Sequence, residues 1–290
     1  MASPGRSMSI GQYFWEAVEA AKAVNLCSAR LATRKPALLR SYVSFCLQRY
    51  DQLMGNGLQA KSPIPALTPS DLDTLTVPLR FQSGGGTDPR ELLNLAAVTR
   101  LLYPKRVFEI GTYNGGTTAV FILNSSPDCE VFTLDLPPDP GGLPDYLPTD
   151  IGLVQDRSPE GFLKRAGLAG RYRQIYCDSM IFDPEPFRNT IDLGFIDGAH
   201  TETFVRNDTM KMAIMLSPRG YVFWHDYGGR GSFRPLSKYL ETLPVRIYRV
   251  PATTLAWTTA VEIKKIDRRM KPRLRPIGNG MGKGNERRSA

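Results

Sequence analysis

The chain has 290 residues, 42% of them hydrophobic and 22% charged, which suits one large domain with an accessory segment and a core of ordinary size. No stretch approaches the ~20 apolar residues of a membrane span, and Glu16 and Glu19 interrupt the run after Arg6, against a secretory signal. The net charge of +9 does not describe the body: in residues 264–290 ten Lys or Arg face only Asp267 and Glu286, so this segment holds +8 of it.

In chain order, Phe14, Val18, Ala21 and Asn25 fall at helical spacing over residues 12–26. Leu39, Val43, Cys46, Leu47 and Tyr50 do the same over 37–54, so two amphipathic helices are expected. Residues 55–87, with Pro63, Pro65, Pro69, Pro78 and Gly84-Gly85-Gly86, read as a linker or loop-rich cover. Asp88-Pro89 followed by Glu91 is a helix start, with an N-cap acceptor, proline at the first position and a capping-box glutamate. Leu93, Ala97 and Leu101 then recur every four residues.

From there strand-like runs alternate with helices: 106–111, 130–136, 172–178, 191–197 and 220–227. A helix carrying Val205, Thr209, Met212 and Leu216 on one face lies before the last run, with Pro218 and Gly220 ending it. This alternation implies parallel strands joined by right-handed crossovers. A short helix near 233–241 and an antiparallel pair, 245–250 and 255–263, close the pattern. The expected fold is a Rossmann-like, doubly wound, mostly parallel seven-stranded α/β sheet with N-terminal helices. Its divisions are 1–87, a domain over 88–263, and a basic, disordered tail over 264–290. Cys27, Cys46, Cys129 and Cys177 form no CxxC pair and read as separate thiols, which suits a reducing, cytoplasmic setting.

The chemistry-bearing residues gather at predicted strand ends. The first strand runs into Glu109-Ile110-Gly111-Thr112-Tyr113-Asn114-Gly115-Gly116. This glycine spacing is not that of dinucleotide binding, and an acid before the turn suits a ligand with a positive charge or an amino group. Asp135 ends the second strand, where a carboxylate can accept both hydroxyls of a ribose. Asp178-Ser179 ends the third, with an acceptor and a hydroxyl for an adenine amino group. The fourth ends in Asp197-Gly198-Ala199-His200 and the fifth in His225-Asp226-Tyr227. The chain has only two histidines, and each falls near an aspartate at one of two neighbouring strand ends. Histidine can serve as a base near neutral pH or as a metal ligand, and two aspartates with a histidine suit a divalent ion.

On these segments, residues 106–227 resemble the class I S-adenosylmethionine-dependent methyltransferases, most closely the bacterial small-molecule O-methyltransferases that include macrolide-sugar and catechol-type enzymes. The resemblance implies that Gly111, Asn114 and Gly115 line the methionine part of S-adenosylmethionine, with Glu109 nearby. It implies that Asp135 holds the ribose and that Asp178 and Ser179 face the adenine. In metal-dependent relatives an aspartate at the Asp197 position and an acidic pair at the fifth strand end bind magnesium. Here that pair reads His225-Asp226, which leaves open whether Mg2+ or another divalent metal is held at Asp197, His225 and Asp226. His200, His225 and Asp197 are the expected catalytic residues, either histidine taking the acceptor's proton. The alternatives are a nicotinamide or flavin oxidoreductase on a similar sheet and a non-catalytic binding protein. The expected partner is a small hydroxylated acceptor. The N-terminal helices cover its pocket or make a dimer contact, and the basic tail is suited to an anionic surface.

Overall fold

The computed structural model describes residues 58–61, 74–78, 86–137, 150, 159–228 and 233–269. The helices expected at 12–26 and 37–54, most of the proline-rich stretch after Asp135, and the tail from 270 onward lie outside the described residues.

The described elements in chain order are β1 (Gln59–Ala60), α1 (Pro89–Leu102), β2 (Arg106–Ile110), α2 (Gly116–Asn124), β3 (Glu130–Asp135), α3 (Pro159–Arg165), β4 (Arg173–Tyr176), β5 (Ile191–Ile196), α4 (Glu202–Met215), β6 (Leu216–Trp224), α5 (Arg234–Thr242), β7 (Tyr248–Arg249), β8 (Ala256–Thr259) and α6 (Ala260–Arg269). The strands form one sheet in the order β1-β7-β8-β6-β5-β2-β3-β4. All pairings are parallel except those of β8, which is antiparallel to β6 and β7. The seven expected strands are present, and β1 adds an eighth at the edge. The sheet switches direction at β2, which lies between β3 and β5. In open α/β sheets the crevice at that switch, outside the carboxyl ends, is where ligands bind.

Alternating side chains on the strands fill two cores. Val107, Val131, Leu193, Phe195, Phe223 and Trp257 pack against α1, α2 and α3 on one face. Phe108, Ile110, Phe132, Leu134, Val222 and Trp224 pack against α4, α5 and α6 on the other. Each large side chain removed from water here stabilises the fold by roughly 1.5–3 kcal/mol, so a change of register at any central strand would undo several such terms together.

Three local departures have physical causes. In α1 the buried residues are Leu92, Leu95, Ala96, Ala97, Val98 and Thr99, so of the expected row Ala97 is buried while Leu93 is 48% exposed. Pro218 and Gly220 do not end α4; they lie inside β6, where pairing with β5 jumps from Ile191↔Leu216 to Leu193↔Tyr221. This bulge tolerates a proline, and a Cβ on Gly220 would sit 2.7 Å from the Ile191 carbonyl oxygen. Finally, the strand expected over 255–263 stops at Thr259, and the chain continues as α6 through Arg269. Ile263 and Ile266, one helical turn apart, are fully buried, so residues 264–269 belong to the folded body and not to a tail.

The segment expected as a linker contributes to the sheet. Lys61 N–H donates to the Arg249 carbonyl, Trp257 Nε1–H to the Lys61 carbonyl, and Leu58 N–H to the Tyr227 hydroxyl. Farther on, Asn124 at the end of α2 pairs its amide with both backbone groups of Thr76. Among the described residues, no helix is long and apolar enough to cross a membrane.

Candidate functional site

The strand ends that carry the expected residues are contiguous. In order across the sheet they are β6 (His225, Asp226), β5 (Asp197, His200), β2 (Glu109, Gly111, Asn114, Gly115), β3 (Asp135) and β4 (Asp178, Ser179).

Gly111 has φ +97°, and a Cβ there would lie 2.0 Å from the Asp197 carbonyl oxygen, so only glycine lets the first turn close against β5. Gly115, also left-handed, caps α2. Asn114 is buried between them. Asp135 reaches across from β3: its Oδ2 accepts from Tyr113 N–H at 2.9 Å and its Oδ1 from Leu136 N–H at 2.8 Å. The acid expected at the ribose therefore stands against the glycine turn. Asp178 Oδ1 accepts from Met180 N–H at 2.8 Å, which shapes the loop after β4. The Ser179 carbonyl is held from α4 by Asn207 Nδ2 at 2.9 Å and by the Lys211 ammonium.

Glu109 lies buried under this floor. Its Oε2 accepts from the hydroxyls of Thr118 and Thr133, the latter at 2.7 Å. Its Oε1 is buried with no hydrogen-bond partner among the described residues. Burial pushes the carboxyl up to about 8 despite the two hydroxyls. An orphaned carboxyl oxygen beside a glycine turn suits a ligand that brings a donor, and a positive donor would draw the group back to its charged form.

The two histidines stand in one polar network. His225 Nδ1 is 3.0 Å from Asp197 Oδ1 and 3.3 Å from Asp226 Oδ2, and its Nε2 is 3.0 Å from Glu91 Oε2. His200 Nε2 is 3.0 Å from Asp226 Oδ2, and its Nδ1 is 3.0 Å from Asp150 Oδ1. Phe233 packs edge-on against the His200 ring. Burial alone would favour the neutral rings, but the hydrogen bonds that His200 donates to Asp150 and Asp226 hold it up to about 10. The Asp197 and Asp226 charges likewise raise His225 well above its ordinary value. Burial raises Asp197, whereas the neighbouring His225 charge and the His200 hydrogen bond overcome burial and lower Asp226. Asp226 has φ +62°, an unfavourable backbone state for a non-glycine residue that the surroundings enforce.

Donor atoms of Asp197, His225 and Asp226 lie within 4.8 Å of one another. Two carboxylates and one imidazole, with the far ring nitrogen on a carboxylate, are a chemically suitable set for a divalent ion. Two members of the network were not singled out as site residues from the sequence. Glu91 reads there only as the capping-box residue of α1, a role that it does fill. Asp150 sits 50 residues before His200, in a stretch without a pattern.

Residues 108–227 match a family model described as a methyltransferase domain. No curated protein matches the chain. Solved structures that it resembles include a candidate caffeoyl-CoA O-methyltransferase from Staphylococcus aureus, 15% identical, with 60% of this chain and 85% of that one covered at a TM-score of 0.48. Another is the methyltransferase PaMTH1 of Podospora anserina bound to SAH, 16% identical, covering 59% and 78% at a TM-score of 0.44. A third is the O-methyltransferase TomG of Streptomyces achromogenes in complex with SAM, 15% identical, covering 60% and 81% at a TM-score of 0.43. The match to a methyltransferase domain falls on β2 through β6, the strands whose carboxyl ends carry the residues described above.

Proposed function

We propose that the chain binds S-adenosylmethionine and methylates a hydroxyl of a small acceptor of sugar or natural-product type. The observation that carries the reading is the apposition of Asp135 with the glycine turn, above a buried glutamate with one unpartnered oxygen. Gly111, Asn114 and Gly115 would line the methionine end, Asp135 would accept from the ribose hydroxyls, and Asp178 and Ser179 would face the adenine. The cofactor supplies a methyl group on a sulfonium, already a good electrophile, so the protein's task is to align an oxygen and remove its proton.

Asp197, His225 and Asp226 would hold a divalent ion, which supplies orientation and a lowered pKa for the acceptor hydroxyl. His200 is the proton acceptor in this reading, in the state where a cation on Asp226 would offset the carboxylate charge that holds the ring protonated. Asp150 accepts from Nδ1–H, which would leave the Nε2 lone pair on the Asp226 side for the acceptor's proton. His225, enclosed by Glu91, Asp197 and Asp226, serves as a ligand.

The test is a thermal-shift series with S-adenosylhomocysteine and NAD. S-adenosylhomocysteine should raise the melting temperature, because a ligand of the folded state stabilises it, and NAD should not. A shift with NAD alone would favour the oxidoreductase. We also propose that residues from 270 onward, with six Lys or Arg against Glu286, attract an anionic surface. A chain ending at Arg269 should then keep cofactor affinity and lose low-salt binding to anionic vesicles; equal vesicle binding would remove that role.

A further inference from the structure

His225 supplies the one imidazole of the Asp197–His225–Asp226 set, and its two nitrogens have different surroundings. Nδ1 faces Asp197 and Asp226, and Nε2 faces Glu91. Glu91 is held rigidly. Its Oε1 accepts from Thr254 N–H at 2.6 Å and from the Thr254 hydroxyl at 2.7 Å, and its Oε2 also accepts from Asp88 N–H at 3.1 Å. Three donors converge on its two oxygens, so the group is an acceptor. An acceptor locked opposite Nε2 demands Nε2–H, so where a cation replaces the Nδ1 proton it is the Nδ1 lone pair that faces the ion between the two aspartates.

Glu91 reaches His225 from α1, 134 residues away in sequence and outside the matched segment 108–227. The imidazole and the glutamate behind it are joined only by the fold and act as one unit. Imidazole favours borderline first-row ions, whereas Mg2+ favours oxygen ligands in a near-ideal octahedron.

We propose that Glu91 is the positioning residue that fixes His225 as an Nδ1 ligand, so that the Asp197–His225–Asp226 set takes a borderline divalent ion of the Co2+ or Zn2+ kind more strongly, relative to Mg2+, than an all-carboxylate set would. This rests on the reading that these three residues hold a cation.

The experiment titrates the full chain with Co2+, followed by its visible absorbance, and with Mg2+ by competition. Glu91→Gln should weaken Co2+ about 10–100-fold, the usual cost of losing a ligand's hydrogen-bonded carboxylate partner. Glutamine keeps one acceptor oxygen but sets an NH2 where Glu91 accepts two hydrogen bonds, so the metal-free variant should melt lower, and Co2+ is titrated at a temperature where circular dichroism shows it fully folded. His225→Asp should lower the Co2+/Mg2+ affinity ratio at least about 10-fold, and on that background Glu91→Gln should cost nothing more. In the Zn2+-loaded chain, nitrogen NMR of labelled histidine should show metal on Nδ1 and a proton on Nε2 of His225. Equal Co2+ affinity in Glu91→Gln, or an equal loss with and without His225, would overturn the proposal while leaving the cation site standing. If the parent chain binds no divalent ion at all, the cation site and this proposal fall together.

Discussion

At the amino end of the sheet, the second residue of β5, Asp192, is met by four donors: the Ser217 hydroxyl at 2.7 Å, Lys105 N–H at 2.8 Å, and Arg219 Nε and Nη2 at 3.0 Å each. Burial works against its charge, but the Arg219 and Ser217 hydrogen bonds win and bring it down to about 2. At the carboxyl end, by contrast, Asp150, Asp197, Asp226 and Glu91 share two imidazoles. Even with both rings protonated, four carboxylates against two cations leave an excess of two negative charges. One end of the same strand is a closed structural ion pair, and the other is an open set that a bound cation and a substrate proton would complete. A buried carboxylate is thus informative about function through its partners, not through its burial.

The sharpest way to break this contrast is His200→Ala. Loss of the proposed proton acceptor should lower turnover about 10²–10⁴-fold. Affinity for S-adenosylhomocysteine should be unchanged, because His200 contacts Asp150 and Asp226 and not the glycine turn. Steady-state kinetics beside a binding titration separate the two quantities, and a fall in both together would place His200 in the scaffold.

Gly111→Ala should follow in size. Backbone strain at φ +97° costs about 1–3 kcal/mol before the contact with the Asp197 carbonyl is counted. Urea unfolding measures it, and an unchanged midpoint would mean that the turn can open without cost.

Glu109 offers a pH test. Its folded value, about 8, lies above the unfolded one, so its contribution is fully present below about 4.5 and is lost as pH rises through about 8. Glu109→Gln should remove that part of the slope, seen as a smaller fall in the urea midpoint between pH 5 and 9. Identical slopes would mean that Glu109 is ionised throughout.

Smallest is Arg219→Ala at the structural end, where an arginine side chain 59% exposed contributes no more than about 1 kcal/mol. The Asp192 contribution is present above about 3.9 and is lost as pH falls through about 2, so this variant should flatten the acid limb. Its cofactor affinity should be that of the parent, and any loss there would couple the two ends.

Much of the candidate site's placement in the fold was legible in the chain because strand ends announce themselves. Asp135, Asp178, Asp197 and Asp226 each follow a short apolar run, and the glycines after Glu109 mark the turn that brings them together. What escaped notice was carried by residues with two jobs or with no pattern around them. Glu91 satisfies the local capping rule so fully that its second oxygen attracted no question, yet Thr254 and His225 are what bury it. Asp150 meets His200 only through tertiary closure. The misreading near the C-terminus has a similar cause. Thr258, Thr259, Val261 and Ile263 are β-branched and suit a strand, but Ile263 and Ile266 are spaced for a helix, and packing against the sheet decided between the two. At Pro218 and Gly220, terminator chemistry was real but was spent on a bulge instead of a helix end.

The central claim is that the carboxyl ends of β2, β3 and β4 hold S-adenosylmethionine. Calorimetric titration of the full chain with S-adenosylhomocysteine, alongside Asp135→Ala, tests it most directly. The account predicts one site per chain and a loss of about 1.5–3 kcal/mol in the variant, as for a charge-assisted hydrogen bond. No binding to the parent chain, or equal affinity in Asp135→Ala, would contradict it.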